Sequence, residues 1–517
     1  MFMSFCKNTP REMIKIQLYT KIKQMKQIIF IIALSSLLIT SCSQKETIIT
    51  GQLISSSDIK LFYTVPASGT NYLGFRDTLK IDEFGNFKIK LEIVNPVFIS
   101  IWSVEPYKIV KLLVEPGNTY QILMDLENEI KMAGANEKGQ MLYATLPNPS
   151  LIEMELRNWL QDTAVSITSI HHQINDLKQA DLAKFKDLLD SKEITKSYFE
   201  LIQKDRDCYY ASLEARFLLI KSYTPIRLGM KIDDELLENL KAIYDKYSPN
   251  DENLLLSSFW SEYAKWYVED YKQIIQEDFN IQKFQNLRNA GMYSTYIINE
   301  SKKYMSGKAL EFFQANHIYF TCIQARSSFE KELILLFEQF EKDYPQSEYS
   351  KYLKPYIDKI IDYYRIIDMP FQSILFMDNY ETIITLEEAI KSLYGKKIYI
   401  DVWATWCGPC IKEFDHNEAL KKVLAENDIH QLYISIDSDS DDQKWKDAIK
   451  YYNLTGTHIR ANVEFEYSLR KLYSKNAERP YIAVPWYMLI DENGNIIEER
   501  AKSPSQIISG ESLFTNN

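Results

Sequence analysis

Cys407 and Cys410 stand two residues apart in Trp406-Cys407-Gly408-Pro409-Cys410, between an apolar run, Lys397 to Trp403, and a stretch of helical period. Two thiols so spaced at a helix N-terminus can close a small disulfide, and the helix dipole with its unpaired N–H groups favours the thiolate of the first. A zinc site would need a second pair of ligands, and no second Cys-x-x-Cys exists. The other potential ligands are scattered. His171 and His172 are adjacent, so on a helix they diverge by about 100°. No His, Cys, Asp and Glu cluster stands at ligand spacing, so neither a metal nor any cofactor beyond the Cys407/Cys410 pair is expected. Cys208 and Cys322 are 114 residues apart in helical sequence; pairing and separate burial are both open.

The pair needs a rigid frame, and the pattern around it supplies one. Lys397 to Trp403 reads as a buried strand, Cys410 to Glu426 as a helix, Gln431 to Asp437 as a strand and Asp442 to Tyr452 as a helix. Trp486 to Ile490 and Ile496 to Glu499 then form a hairpin across Asp491 to Asn495. A βαβ unit followed by a hairpin is an α/β arrangement.

Upstream the composition changes. Glycine is scarce, 15 in 517, and residues 140 to 394 hold only Gly229, Gly291 and Gly307, which predicts a mostly helical stretch. Leu256, Phe259, Trp260, Tyr263 and Tyr267 form one apolar helix stripe, and Leu333, Leu336, Phe337, Phe340 and Tyr344 another; core packing explains both better than a ligand groove. Residues 47 to about 145 read as strands. Phe87, Ile89, Leu91 and Ile93 alternate with charged residues after the turn Asp82 to Asn86. Leu112 to Val114 and Tyr120 to Met124 read as a second hairpin across Glu115-Pro116-Gly117-Asn118, a type II turn sequence.

From these residues the last 140 or so are similar to the thioredoxin superfamily, and within it to exported, membrane-anchored thiol–disulfide oxidoreductases of the TlpA/ResA type. Trp406 to Cys410 reproduces the family's active-site pentapeptide, with Trp403 just upstream. The resemblance implies that Cys407 attacks a substrate disulfide, that Cys410 resolves the mixed disulfide, and that Asp401 relays its proton. Gly408, Pro409, Trp403 and Trp406 support the pair, and Pro485 would be a cis-proline beside it. Two positions depart from the pattern. Asp415 stands where relatives often carry a helix-kinking proline, and Val484 stands where many carry Thr. The strand-rich segment likewise resembles the small β-sandwich that often precedes such a domain.

Lys21, Lys23 and Lys26 precede an apolar run, Ile28 to Ile39, that ends in Ile39-Thr40-Ser41-Cys42. The run is too short to span a bilayer. It resembles a lipoprotein signal with Cys42 as the acylated residue and Met25 as the natural start; an ordinary secretory signal is the alternative, and Cys6 then has no role. Removing residues 1–41 takes away a net +5 and turns a chain of net charge −11 into 476 residues at −16. So acidic a chain argues against nucleic acid, and membrane attachment would come from lipid rather than from a basic face.

The expected architecture is therefore multidomain. It comprises a signal segment (1–41), a β-sandwich (42–145), a central all-α region (146–365) and a C-terminal α/β thioredoxin fold (366–517). The expected role is an envelope protein, lipid-anchored on the periplasmic face, that reduces disulfides of exported proteins. A membrane thiol donor would keep it reduced, as in relatives serving cytochrome c maturation. Two rivals stand beside it. A peroxiredoxin-like peroxidase would share Ile434 to Trp445, but lacks its Thr or Ser three residues before Cys407, where Ala404 stands. A surface adaptor would use the upstream regions to bind a partner and leave the redox pair auxiliary.

Overall fold

The computed structural model describes residues 46–55, 59–64, 76–146, 166–275, 280–324, 329–370, 374–475 and 477–511. Cys6, Met25, the basic residues Lys21, Lys23 and Lys26, and Cys42 lie outside the described residues.

Eight strands open the described chain: β1 (Thr47–Ile54), β2 (Leu61–Thr64), β3 (Arg76–Thr78), β4 (Asn86–Leu91), β5 (Val97–Ser103), β6 (Lys108–Val114), β7 (Thr119–Asp125) and β8 (Lys131–Gly134). They form two four-stranded sheets, ordered β4-β1-β7-β8 and β3-β2-β5-β6. β4 alternates buried Phe87, Ile89 and Leu91 with exposed neighbours, as its sequence pattern requires. Asp82 makes the turn before it, its carboxylate accepting from the N–H groups of Phe84 and Asn86. Gly85 has φ 82°, and a Cβ there would meet the Leu53 carbonyl oxygen at 2.3 Å, so only glycine fits.

The expected hairpin across Glu115 to Asn118 is not one. Its turn is present, with Gly117 at φ 75° and the Asn118 N–H on the Glu115 carbonyl, but β6 pairs with β5 whereas β7 pairs with β1 and β8. The turn carries the chain from one sheet to the other, because both β6 and β7 contribute apolar residues, Leu112 and Ile122 among them, to one shared core. β5 and β6 are buried on both faces: Phe98 and Leu113 point away from that core and pack on Tyr143, Phe185, Tyr198 and Ile202 of the helices that follow.

The central region is helical. Ile167–Asp190 and Lys196–Arg227 are its longest helices, opened by Ser166 and Thr195, whose hydroxyls accept from Ser169 N and Tyr198 N. The Leu256 to Tyr267 stripe is less regular than expected. Leu254–Leu256 is a 3-10 turn, Trp260–Trp266 an α-helix and Tyr267–Tyr271 a π-helix; Phe259, Trp260, Tyr263 and Tyr267 nevertheless all enter one large core. Leu333, Phe337 and Phe340 enter it from helix Glu332–Asp343. Cys208 and Cys322 are separate free thiols, each pushed up to about 12 by burial. The last helix, Ser350–Ile367, packs on helix Asp442–Tyr451 through Phe329, Tyr363 and Tyr451, with ring centroids 4.2–5.1 Å apart.

The C-terminal unit contains β9 (Ile374–Phe376), β10 (Lys397–Trp403), β11 (Ile429–Ser435), β12 (Gly456–Arg460), β13 (Trp486–Ile490) and β14 (Ile496–Glu498). They form one sheet ordered β14-β13-β10-β11-β12-β9, in which β10, β11, β12 and β9 run parallel while β13 and β14 are antiparallel. The predicted strand at Gln431 starts two residues earlier and stops at Ser435. β9, β12 and helix Val463–Ser474 add to the expected elements. The predicted helix Cys410 to Glu426 is broken: α-helix Gly408–Glu413 passes through a 3-10 turn, Phe414–His416, into helix Asn417–Glu426. Phe414 explains the break without a proline, since its ring is drawn into the core against Trp403 and Tyr452, 5.2 and 5.3 Å away. Among the described residues no helix is long and apolar enough to cross a membrane.

Candidate active site

β10 lies inside the sheet, with β13 on one side and β11 on the other, so its end is held firmly where the dithiol begins. Trp403 is fully buried, and its carbonyl accepts from Ile436 N. Thr405 follows, and both its N–H and its hydroxyl donate to the buried carboxylate of Asp437, which also accepts from the Ser435 hydroxyl. This clamp fixes the chain just before the cysteines. Asp437→Ala leaves three donors without their acceptor and should destabilise this unit by about 3 kcal/mol, with Asp437→Asn costing less; calorimetric melting of the full chain measures the difference.

Cys407 caps helix Gly408–Glu413, with Pro409 in its first turn, where a missing N–H costs nothing. The Cys407 and Cys410 sulfurs are 2.00 Å apart, a disulfide, and Cys410 N donates to Cys407 Sγ at 3.1 Å. Both cysteines are nearly buried, Cys407 keeping 4% of its surface and Cys410 1%, so the first is the more open of the two. Trp406 beside it is 58% exposed, a large ring left on the surface at the opening of the site.

The Val484–Pro485 bond is cis. Val402 pairs with Trp486, so the same register sets Pro485 across from Trp403, at the end of the sheet from which the dithiol emerges.

Asp401 is buried on β10, flanked in register by Tyr433 of β11 and Tyr487 of β13. Its Oδ1 has no hydrogen-bond partner among the described residues. Burial, with a smaller contribution from the charge of Glu413, pushes its carboxyl up to about 8. Glu413 escapes the sequence reading. It sits three residues after Cys410 on the same short helix, and i, i+3 spacing was the available signal. Its carboxylate accepts from Ser505 N and the Ser505 hydroxyl, at 2.8 and 2.9 Å, and so is fixed in place.

Thus the structure gathers Cys407, Cys410, Trp403, Trp406, Gly408, Pro409, Asp401 and Pro485 at and beside the end of β10, and Cys42 lies outside the described residues. A dithiol backed by a buried acid is equipped to exchange disulfides and to move a proton near neutral pH.

Residues 387–509 match the Redoxin family model. The chain is 28% identical over 110 residues to Thiol-disulfide oxidoreductase ResA of Bacillus thuringiensis, which covers 21% of this chain and 57% of that protein. The C-terminal unit belongs to the thioredoxin superfamily, in its TlpA/ResA branch. The alignment thus spans less than two thirds of the curated relatives' length. Among solved structures, one from Bacteroides vulgatus, a candidate thiol-disulfide oxidoreductase, is 31% identical, covering 24% of this chain and 75% of that one with a TM-score of 0.21. StoA from Bacillus subtilis is 22% identical, covering 22% of this chain and 82% of that one with a TM-score of 0.18. The strands and helices upstream of this thioredoxin-superfamily unit lie outside the matched segment.

Proposed function

We propose that the chain is a thiol–disulfide oxidoreductase that reduces disulfides of exported proteins. The observation that carries this is the Cys407–Cys410 pair, its first residue the more exposed, standing at the end of the strand that buries Asp401. In the reduced form the Cys407 thiolate attacks one sulfur of a substrate disulfide and expels the other as a thiolate. Cys410, giving its proton to Asp401, then attacks Cys407 Sγ and releases the second substrate thiolate. Two electrons pass to the substrate, and the disulfide seen here is the product state. Glu413 acts on Asp401 through charge and is a positioning residue. A membrane thiol donor returns the two electrons.

Around this chemistry, the proposed organisation is a lipid anchor on Cys42 at the periplasmic face, a β-sandwich over 42–145, a helical domain over 146–365 and the thioredoxin-like domain over 366–517. Reduction of insulin by the full chain, with dithiothreitol as donor, tests the reading. A rate above the donor alone that disappears in Cys407→Ser supports it; peroxide consumption without disulfide reduction would replace it with the peroxidase.

A further inference from the structure

The helical region holds a cavity of about 360 Å³, within the range of small-molecule sites, roughly 300–1,000 Å³. It lies far from the dithiol in sequence and is lined from four helical segments: Lys265 of Trp260–Trp266, Glu269 of the π-helix, Tyr293 of Tyr293–Tyr304, and Asn316 and His317 of Gly307–Gln324. Arg288, Glu330 and Glu332 stand around them. A π-helix interrupting an α-helix is often found at a functional site.

The polar groups here divide into those already occupied and those with capacity left. Glu332 is occupied, accepting from Ser294 N, Thr295 N and the Thr295 hydroxyl. Glu269 Oε2 accepts from the Tyr293 hydroxyl at 2.9 Å, and its Oε1 is 3.9 Å from His317 Nδ1. The rest are open. Asn316 is 5% exposed and its Oδ1 has no partner, and His317 Nε2 has none either, among the described residues. No described carboxylate is within ion-pair distance of Lys265 Nζ or of Arg288, which stacks on Tyr293 at 3.9 Å. Burial opposes the Lys265 charge, but Glu269, Glu262 and Asp270 together outweigh it. Burial pushes Glu269 up to about 7 despite Lys265. His317 is held down to about 3, chiefly by burial, and is neutral.

A ligand for this cavity must bring an anion to Lys265 and Arg288, and hydrogen-bond donors to Asn316 Oδ1 and Glu269, beside the rings of Phe313 and Phe320. Arg288 is exposed and Lys265 and Glu269 are half-buried, so a singly charged molecule answers one sign of these groups and leaves either the two cations or the buried, partnerless Asn316 Oδ1 without a counterpart. We propose that the cavity binds a small zwitterion with an apolar side chain, a free amino acid or a dipeptide.

Calorimetric titration of the full chain with L-phenylalanine, L-leucine and L-alanyl-L-phenylalanine tests this against 3-phenylpropionate, which lacks the amine, and phenethylamine, which lacks the carboxylate. At least one zwitterion should bind at a single site, with both analogues about tenfold weaker or worse. Lys265→Met and Asn316→Leu should each weaken it by about tenfold, and Lys354→Ala, which is exposed, paired with Asp358 and outside the cavity lining, should not. Failure of all three zwitterions at millimolar concentration, or analogues binding as tightly, overturns the proposal. Unchanged affinity in a folded Lys265→Met protein overturns it as well. Should that variant fail to fold, the analogue comparison on the unsubstituted protein decides alone.

Discussion

Cys410→Ser should accumulate as a mixed disulfide with its substrate and turn over about a thousandfold more slowly or worse, whereas Cys407→Ser should form no adduct at all. The effect is large because of where the resolving thiol sits. Lowering the pKa of an attacking thiol from about 8.5 to about 7 raises its thiolate fraction at pH 7 from roughly 3% to roughly 50%. A Brønsted slope near 0.5 takes back about fivefold, leaving a gain of only about threefold. Positioning a second thiol against the mixed disulfide, by contrast, supplies an effective molarity of many orders of magnitude. The sulfurs here are within bonding distance and Cys410 is held in the core by the helix that Cys407 caps. Mass spectrometry of each variant after incubation with an oxidised substrate reads the outcome; adducts on Cys407→Ser instead of Cys410→Ser would reverse the assigned roles.

Asp401→Asn should slow resolution by about a hundredfold at neutral pH and remove a rate transition centred near 8. The same substitution should stabilise the oxidised protein, and by an amount that grows with pH. The native carboxyl is raised from 3.8 to about 8, so between those values the folded state holds a proton that the unfolded state has lost. Stability therefore falls as pH rises through that window, by up to about 6 kcal/mol at roughly 1.4 kcal/mol per unit. Asn carries no such proton, so the gap between variant and parent should be smallest near pH 4 and largest above pH 8. Calorimetry of the full chain across this range, following the transition that moves when the disulfide is reduced, measures it. Glu413→Gln removes a charge that raises the Asp401 carboxyl, and should shift both the rate transition and the stability window to lower pH. A stability gap that does not change with pH would show that Asp401 titrates normally.

How much of this was legible depended on how local the signal was. The pentapeptide, β10 before it and the hairpin after Pro485 are runs of contiguous residues with their own pattern, and each stands where expected. Glu413 was missed because its relation to Asp401 passes through space, from a helix to a strand. β12, Gly-Thr-His-Ile-Arg, is not legible because a buried strand ordinarily shows as an apolar run and this one is mostly polar. Its polar members are buried only because His458 meets the Leu454 carbonyl and Arg460 meets Asp439 and Asp442. The Glu115 to Asn118 turn misled for another reason: turn chemistry sets the local bend, and which sheet the next strand joins is decided by the β1–β7 pairing some seventy residues apart. By contrast, Asp491 to Asn495 repeats the chemistry of Asp82 to Asn86, an Asp carboxylate gathering N–H groups ahead of a left-handed glycine, and both close the loops expected of them.

The short strand Ile374–Phe376 bears on how a soluble fragment should be cut. It hydrogen-bonds to β12 at the rim of the sheet, yet it lies upstream of residue 387, where the family match begins. A fragment trimmed to that match would bare a row of β12 amide and carbonyl groups, a template on which molecules stack edge to edge and precipitate. Retaining residues from 368 onward keeps that rim covered, at the cost of exposing Tyr451 where Tyr363 had packed.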